Sequence, residues 1–134
     1  RKKEGDKKTP KGIFSLGPLF YRRDKNKEPQ TKIKKIVINR KMGWCDDGTH
    51  EKYNKLIKIK KNIKHEKMFR NDEKYDFLIP INYNTYAPKK NKGSAIFIHL
   101  TKNYKKTLGC IALKKIDFLI LLKLIDKKTK IRIY

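Results

Sequence analysis

The chain has 134 residues, with 37 Lys and Arg against 13 Asp and Glu, a formal net charge of +24, and 37% hydrophobic residues. That is enough for one domain with one modest core. It excludes a helical membrane span: the longest apolar stretch, Phe118 to Leu122, is far below the roughly 18 residues a span requires.

In chain order, Glu4 to Gly17 reads as an exposed loop entering a strand. The strand is GIFSL (12–16), bounded by Pro10 and Pro18. Its partner is expected upstream, so that one or two N-terminal strands of the complete domain would precede this numbering. The opening residues carry no apolar h-region of a secretory signal. A secreted form is expected to have lost its signal before residue 1. IKKIVIN (33–39) follows Pro29 as a second strand. A short helix is expected around Thr49–Asn54. KLIKIKK (55–61) alternates, with Ile57 and Ile59 on one side and lysines on the other. YDFLIPIN (75–82) contains a proline and reads as an edge strand or a bulge. SAIFIHL (94–100), β-branched and aromatic, reads as a central strand. Asp117 is expected to cap a helix ending near Lys123–Leu124, with Phe118, Leu121, Leu122 and Ile125 buried. Asp126 to Thr129 is a turn into a final alternating strand, KIRIY (130–134). There is no internal repeat and no linker, so residues 1–134 read as a single, mainly β domain.

The charge admits two explanations. A polyanion partner is one. Composition is the other: of the 37 basic residues only Arg1, Arg22, Arg23, Arg40, Arg70 and Arg132 are arginine, which leaves 31 lysines. Ile, Asn and Tyr are also abundant, as an AT-rich coding sequence produces. Nucleic-acid readers favour Arg for its bidentate contacts, and these lysines are scattered. No specific nucleic-acid partner is expected.

Metal and phosphate motifs are incomplete. His50-Glu51 and His65-Glu66 lack a second His four positions on, where Asn54 and Phe69 stand, and neither Cys45 nor Cys110 has a CxxC partner. Gly5 to Gly12 lacks the Lys-Ser/Thr of a phosphate-binding loop. No cofactor and no metal are expected. The two cysteines could form one disulfide or remain free. Cys45, beside Asp46 and Asp47, would have a raised pKa and reads as structural.

His99 and Cys110 suit nucleophilic catalysis. A thiol attacks only once deprotonated, and a neighbouring imidazole can take its proton and hold the ion pair. His99 ends a strand. Cys110 follows Gly109, where the backbone can turn sharply and aim N–H groups at a developing oxyanion. The alternative on spacing alone is a buried structural thiol and a satisfied core histidine.

The segment GSAIFIH followed by Thr107-Leu108-Gly109-Cys110 resembles the active-site signature of the L,D-transpeptidase (YkuD-type) catalytic domain. Gly5-Asp6-Lys7-Lys8-Thr9-Pro10-Lys11-Gly12-Ile13-Phe14 resembles that family's early turn. Gly43-Trp44-Cys45-Asp46-Asp47, His65-Glu66-Lys67-Met68 with Arg70 and Asp72, and Tyr75-Asp76 resemble a proteobacterial branch, with T-x-G-C in place of S/T-H-G-C. The resemblance implies a β-sandwich. It implies Cys110 as nucleophile, His99 as general base, the Leu100 carbonyl as its orienting group, and Gly109 and Cys110 as oxyanion donors. The chain departs from the pattern in Leu108, where many members have His, and in Ala112 and Leu113, where Arg or Asn often stands. Thr107, Asn39, Arg40, Arg70 and Tyr83 are candidate substrate contacts.

The implied activity is a peptidoglycan L,D-transpeptidase. It would form a thioester with a stem peptide and pass it to an amine, in the periplasm or cell wall. Water as acceptor would make the same site an L,D-carboxypeptidase or endopeptidase. The non-enzymatic alternative is a basic module binding nucleic acid or anionic wall polymer.

Overall fold

The computed structural model describes residues 3–6, 8–102 and 109–134. The described residues form ten strands and one helix: β1 (Gly12–Ser15), β2 (Leu19–Tyr21), β3 (Lys35–Val37), β4 (Met42–Cys45), β5 (Leu56–Lys58), β6 (His65–Lys67), β7 (Phe77–Pro80), β8 (Phe97–Leu100), β9 (Ile111–Leu113), α1 (Lys115–Leu124) and β10 (Lys130–Ile133). The mainly β, sandwich-like class expected from the sequence is what forms.

The centre is a five-stranded sheet in the order β3-β2-β7-β8-β9. Its inner strands β7 and β8 are buried on both faces, so they read as continuous apolar runs. Residues of odd and even parity then serve different cores. Leu19, Tyr21, Phe77, Ile79, Ile96, Ile98 and Leu100 face α1, whose Phe118 and Leu122 are wholly buried against them. Phe14 and Ile131, on the small β1–β10 sheet, pack beside this core. Phe20, Leu78 and Phe97 face the other way, onto Trp44, Met68 and Tyr75. Trp44 belongs to a three-stranded sheet, β5-β4-β6. Its ring centroid lies 5.3 Å from that of Phe97 and 6.4 Å from that of Phe20. Both contacts are edge-on, the geometry that ring quadrupoles favour. The central sheet is thus sandwiched between the helix and the second sheet.

β1 itself pairs with β10, at the far end of the chain, antiparallel from Gly12↔Ile133 to Ser15↔Lys130. Three local expectations are corrected. β7 is an interior strand despite Pro80, not an edge, but the bulge alternative holds: from Phe20↔Leu78 to Leu16↔Ile81 the facing chain carries one extra residue. The Pro80 carbonyl accepts the Gly17 N–H (2.8 Å), on the side where the β2 ladder has already ended at Phe20↔Leu78. The proline's missing N–H therefore falls where no ladder bond is required. Residues 49–54 form successive turns, not a helix. The Asp47 carboxylate binds the N–H and hydroxyl of Thr49, favouring a turn over helical continuation. Finally, α1 starts earlier than expected. Lys114 is its N-cap, without a side-chain cap bond, and Asp117 sits inside the first turn. There its charge suits the positive end of the helix dipole. Phe118, Leu122 and Ile125 are buried as expected, while Leu121 is half-buried. The turn at residues 126–129 forms, closed by the Thr129 N–H on the Asp126 carbonyl (3.1 Å).

Candidate active site

The pairing of β8 with β9 fixes the relation between His99 and Cys110. The strands are parallel, with Ile98↔Ile111 and His99↔Ala112. Cys110, one residue before β9, stands opposite Phe97, whose N–H points to its Sγ (3.4 Å). Side chains alternate along a strand, so positions 97 and 99 share a face, as do 110 and 112. Paired residues of neighbouring strands point the same way. Cys110 and His99 therefore lie on one face, one strand apart and two positions apart along the strand, and both line one cavity of about 290 Å³.

His99 is 4% exposed. Its Nδ1 lies 2.8 Å from the Leu100 carbonyl oxygen. A carbonyl can only accept, so Nδ1 carries the proton and Nε2 is the lone-pair nitrogen. Nε2 is buried and has no hydrogen-bond partner among the described residues. Burial pushes the His99 pKa below its ordinary 6.5, and Lys74 and Arg70 reinforce this against the Leu100 bond and Glu66. Desolvation of the ring favours its neutral form over the charged one.

Cys110 is half-buried and unoxidised, and its S–H points to the Ala95 carbonyl (3.3 Å). Ala95 adopts a left-handed backbone, with φ 54°, which is uncommon for a residue with a Cβ. Asn54 holds it there. Its Oδ1 accepts the Ala95 N–H (3.1 Å) and the Trp44 indole N–H (2.9 Å), while its Nδ2 donates to the Tyr83 and Asn84 carbonyls. Asn54 is almost fully buried, and no periodicity or motif in the sequence marks it.

Gly109 has φ 109°. A Cβ there would lie 2.9 Å from the Lys8 carbonyl oxygen. The early turn is thereby pressed against the residue preceding the thiol. Asp6 shapes that turn by accepting the N–H groups of Lys3 (2.6 Å) and Lys8 (2.9 Å).

The cavity wall is acidic on one side. Glu4, Asp46 and Glu66 line it, together with Lys74, Tyr75 and Ser94. Glu4 accepts the hydroxyls of Tyr53 (2.6 Å) and Ser94 (2.5 Å), and Glu66 accepts that of Tyr75 (2.6 Å). Tyr75 meets the His99 ring at 5.8 Å between centroids. Its phenol is pushed far up by burial and by Glu66, so it stays a donor. Burial also raises the Asp46 carboxyl, helped by Glu4 and Glu66 and opposed by Lys64; its Oδ1 is buried without a partner among the described residues. These carboxylates are brought together from distant parts of the chain, and nothing in their spacing foretold it.

The other sequence candidates fall elsewhere. Arg70 is bound through both Nε and Nη2 to Asp72 and lies over Tyr75, outside the cavity lining. Arg40 lies over the Phe69 ring, 4.6 Å from its centroid. The Asn39 side chain accepts the Lys41 N–H. Tyr83 donates to the Lys92 carbonyl (2.6 Å) and lines a different, larger groove. Thr107 and Leu108 lie outside the described residues. Cys45 is fully buried and free, and its thiol is pushed up by burial; the backbone contact with Asp47 opposes this, and the Asp47 and Asp46 charges add smaller upward contributions. Among the described residues, no three His, Cys, Asp or Glu side chains converge as a metal site requires.

The model of one protein family, described as the L,D-transpeptidase catalytic domain (YkuD), matches residues 1–133. The chain belongs to that family. No curated protein and no solved structure gave a match to it.

Proposed function

We propose that this member of the L,D-transpeptidase catalytic-domain family is a peptidoglycan L,D-transpeptidase, with Cys110 as nucleophile and His99 as general base. The observation that carries the reading is the shared face of β8 and β9. It puts the thiol in one cavity with a buried imidazole whose Nδ1–H is tied to Leu100 and whose Nε2 is open.

In the proposed reaction, Nε2 takes the thiol proton as Sγ attacks the carbonyl carbon of a stem-peptide bond. The backbone N–H groups of Gly109 and Cys110 receive the oxyanion. Collapse expels the amine, which leaves with the proton from His99, and a thioester remains on Sγ. An amine of a second stem peptide attacks that thioester, gives its proton to Nε2, and returns Sγ as the leaving thiolate, which is reprotonated. A neutral resting His99 is the form that can begin both half-reactions.

Two acceptors are chemically open. Water would give a carboxypeptidase or endopeptidase. The acidic side chains of Glu4, Asp46 and Glu66 in the cavity of Cys110 favour an amine, because an amine approaches as an ammonium ion and a negative wall concentrates it. Such a substrate lies in the bacterial cell wall, so the proposed site of action is the wall or the periplasm. No described helix is long and apolar enough to cross a membrane.

The test is incubation with purified tetrapeptide muropeptides and mass analysis of products. Cross-linked dimers that disappear with Cys110→Ala support the transpeptidase. Tripeptides alone, even with excess amine acceptor, would replace it by the hydrolase, and no product would overturn both.

A further inference from the structure

A second cavity, larger than the one holding Cys110, is an open groove of about 970 Å³ whose lining includes Lys8, Lys11, Lys89 and Lys92, together with Tyr83 and Asn84. No Asp or Glu among the described residues lines it. The ion pairs at Asp24, Asp76, Glu28 and Asp72 lie elsewhere and involve none of these four lysines. Asp6, close to them in sequence, accepts the N–H groups of Lys3 and Lys8 and also acts electrostatically on Tyr83, so one carboxylate stands near the four lysines.

The groove is held in shape. Asn84 Nδ2 donates to the carbonyls of Lys89 and Gly93 (both 3.0 Å), and its Oδ1 accepts the Lys89 N–H (2.9 Å). The Tyr83 hydroxyl donates to the Lys92 carbonyl. The loop bearing Lys89 and Lys92 is thus tied at both lysines through its backbone, and their ammonium groups take no part in these bonds. The opposite wall is the early turn, which also borders the catalytic cavity. Glu4 and Gly5 line the Cys110 side, and Lys8 to Lys11 line the groove. The Lys8 carbonyl rests against Gly109, the residue before the nucleophile.

We propose that this groove seats the carboxylates of the acidic peptide whose carbonyl Cys110 attacks; the proposal rests on the transpeptidase reading above. Four lysines against the single carboxylate of Asp6 leave the groove net positive, and an ammonium recognises a carboxylate as a point charge without demanding one planar geometry. The groove therefore selects donors by charge. The acidic wall on the other side of the turn leaves the opposite charge for the acceptor.

The test uses two donors, a disaccharide tetrapeptide with free carboxylates and the same molecule with those carboxylates amidated. The readout is the donor concentration giving half-maximal acylation of Cys110, followed by intact mass. The parent should require about ten-fold more of the amidated donor, the effect of two exposed charge pairs together. K89Q/K92Q should require about ten-fold more of the acidic donor and should no longer distinguish the two. Alkylation of Cys110 by iodoacetamide, a neutral reagent, should be the same in parent and variant, which shows that the variant is folded. If the parent is acylated equally well by both donors, the groove proposal is overturned and the reaction stands. If the parent is acylated by neither, the transpeptidase reading falls and the groove proposal falls with it. If a single-stranded oligothymidylate binds the groove more tightly than the acidic donor and K89Q/K92Q abolishes that binding, the groove belongs to a polyanion and the proposal is overturned.

Discussion

Replacing Gly109 by Ala tests whether the early turn and the proposed nucleophile are one packed unit. Two costs add at this position. The backbone φ of 109° lies outside the left-handed well that other residues tolerate, which costs about 2–3 kcal/mol. The new Cβ would also meet the Lys8 carbonyl at 2.9 Å. Because that oxygen belongs to the backbone, no side-chain rotation relieves the clash, and Lys8→Ala would not rescue it. Displacement of the turn brings the total to roughly 3–4 kcal/mol. Gly5→Ala supplies the comparison. Gly5 also has a positive φ, 74°, but nothing lies within 4 Å of a Cβ there. Only backbone strain of about 1 kcal/mol applies to it. For a chain of this length each kcal/mol moves Tm by about 3–6 °C. Calorimetry should therefore show a loss of roughly 10–20 °C for Gly109→Ala against about 3–6 °C for Gly5→Ala. Acylation of Cys110 should fall in the first variant and persist in the second. Equal Tm losses would refute the close approach of residue 8 to residue 109.

The depressed pKa of His99 predicts that the acid limb of the acylation pH profile lies below 6.5. It also predicts that His99→Ala slows iodoacetamide alkylation of Cys110 at neutral pH and moves its profile upward; an unmoved profile removes His99 as base. The same depression has a sign for stability. The unfolded chain binds the proton more readily, so stability present above pH 6.5 is lost as pH falls through the folded pKa. Urea titrations of His99→Gln should show that slope reduced. Cys45 is fully buried, and its replacement by Ala should cost about 1 kcal/mol in denaturant unfolding, the effect of one small apolar group lost from a core. Acyl transfer should be mostly retained; lost activity in a folded variant would make Cys45 more than structural. Asn54→Ala would leave the Trp44 and Ala95 N–H groups and two carbonyls without their partner. That should cost roughly 2–4 kcal/mol. Its acylation rate should fall more than its stability explains; a pure stability loss would mean that the Ala95 backbone does not position the thiol.

Local chemistry made part of this molecule legible in advance. The strand bearing His99 and the turn at residues 126–129 depend on neighbours in sequence, and both were readable. Phe118 and Leu122 follow a helical spacing, and they are the buried face of α1. The signals that misled were also local. Pro80 marks an edge strand only if its missing N–H faces a ladder, and the end of β2 removes that condition. Thr49–Asn54 reads as a short helix in the sequence, yet Asp47 claims the Thr49 groups for a turn. The pairing of β1 with β10 joins the two ends of the chain, and no local pattern specifies a partner so distant. The candidate site divides along the same line. The two side chains proposed to react stand close in the sequence, and the register of β8 and β9 puts them on one face. Asn54, the acidic wall and the lysine groove are assembled by loops whose geometry depends on φ values and side-chain-to-backbone bonds. Arg40 and Arg70 are substrate-contact candidates by residue type, and the contacts that seat them, Arg40 over Phe69 and Arg70 on Asp72, are not legible in the sequence.

The central claim is that a covalent thioester forms on Cys110 and that His99 enables it. The most direct measurement is rapid quench of the protein with a tetrapeptide muropeptide, followed by protease digestion and mass mapping of the adduct. The account predicts an acyl adduct on the peptide containing Cys110, absent in Cys110→Ala and formed far more slowly in His99→Ala. An adduct on Cys45, or turnover that persists in Cys110→Ala, would contradict it.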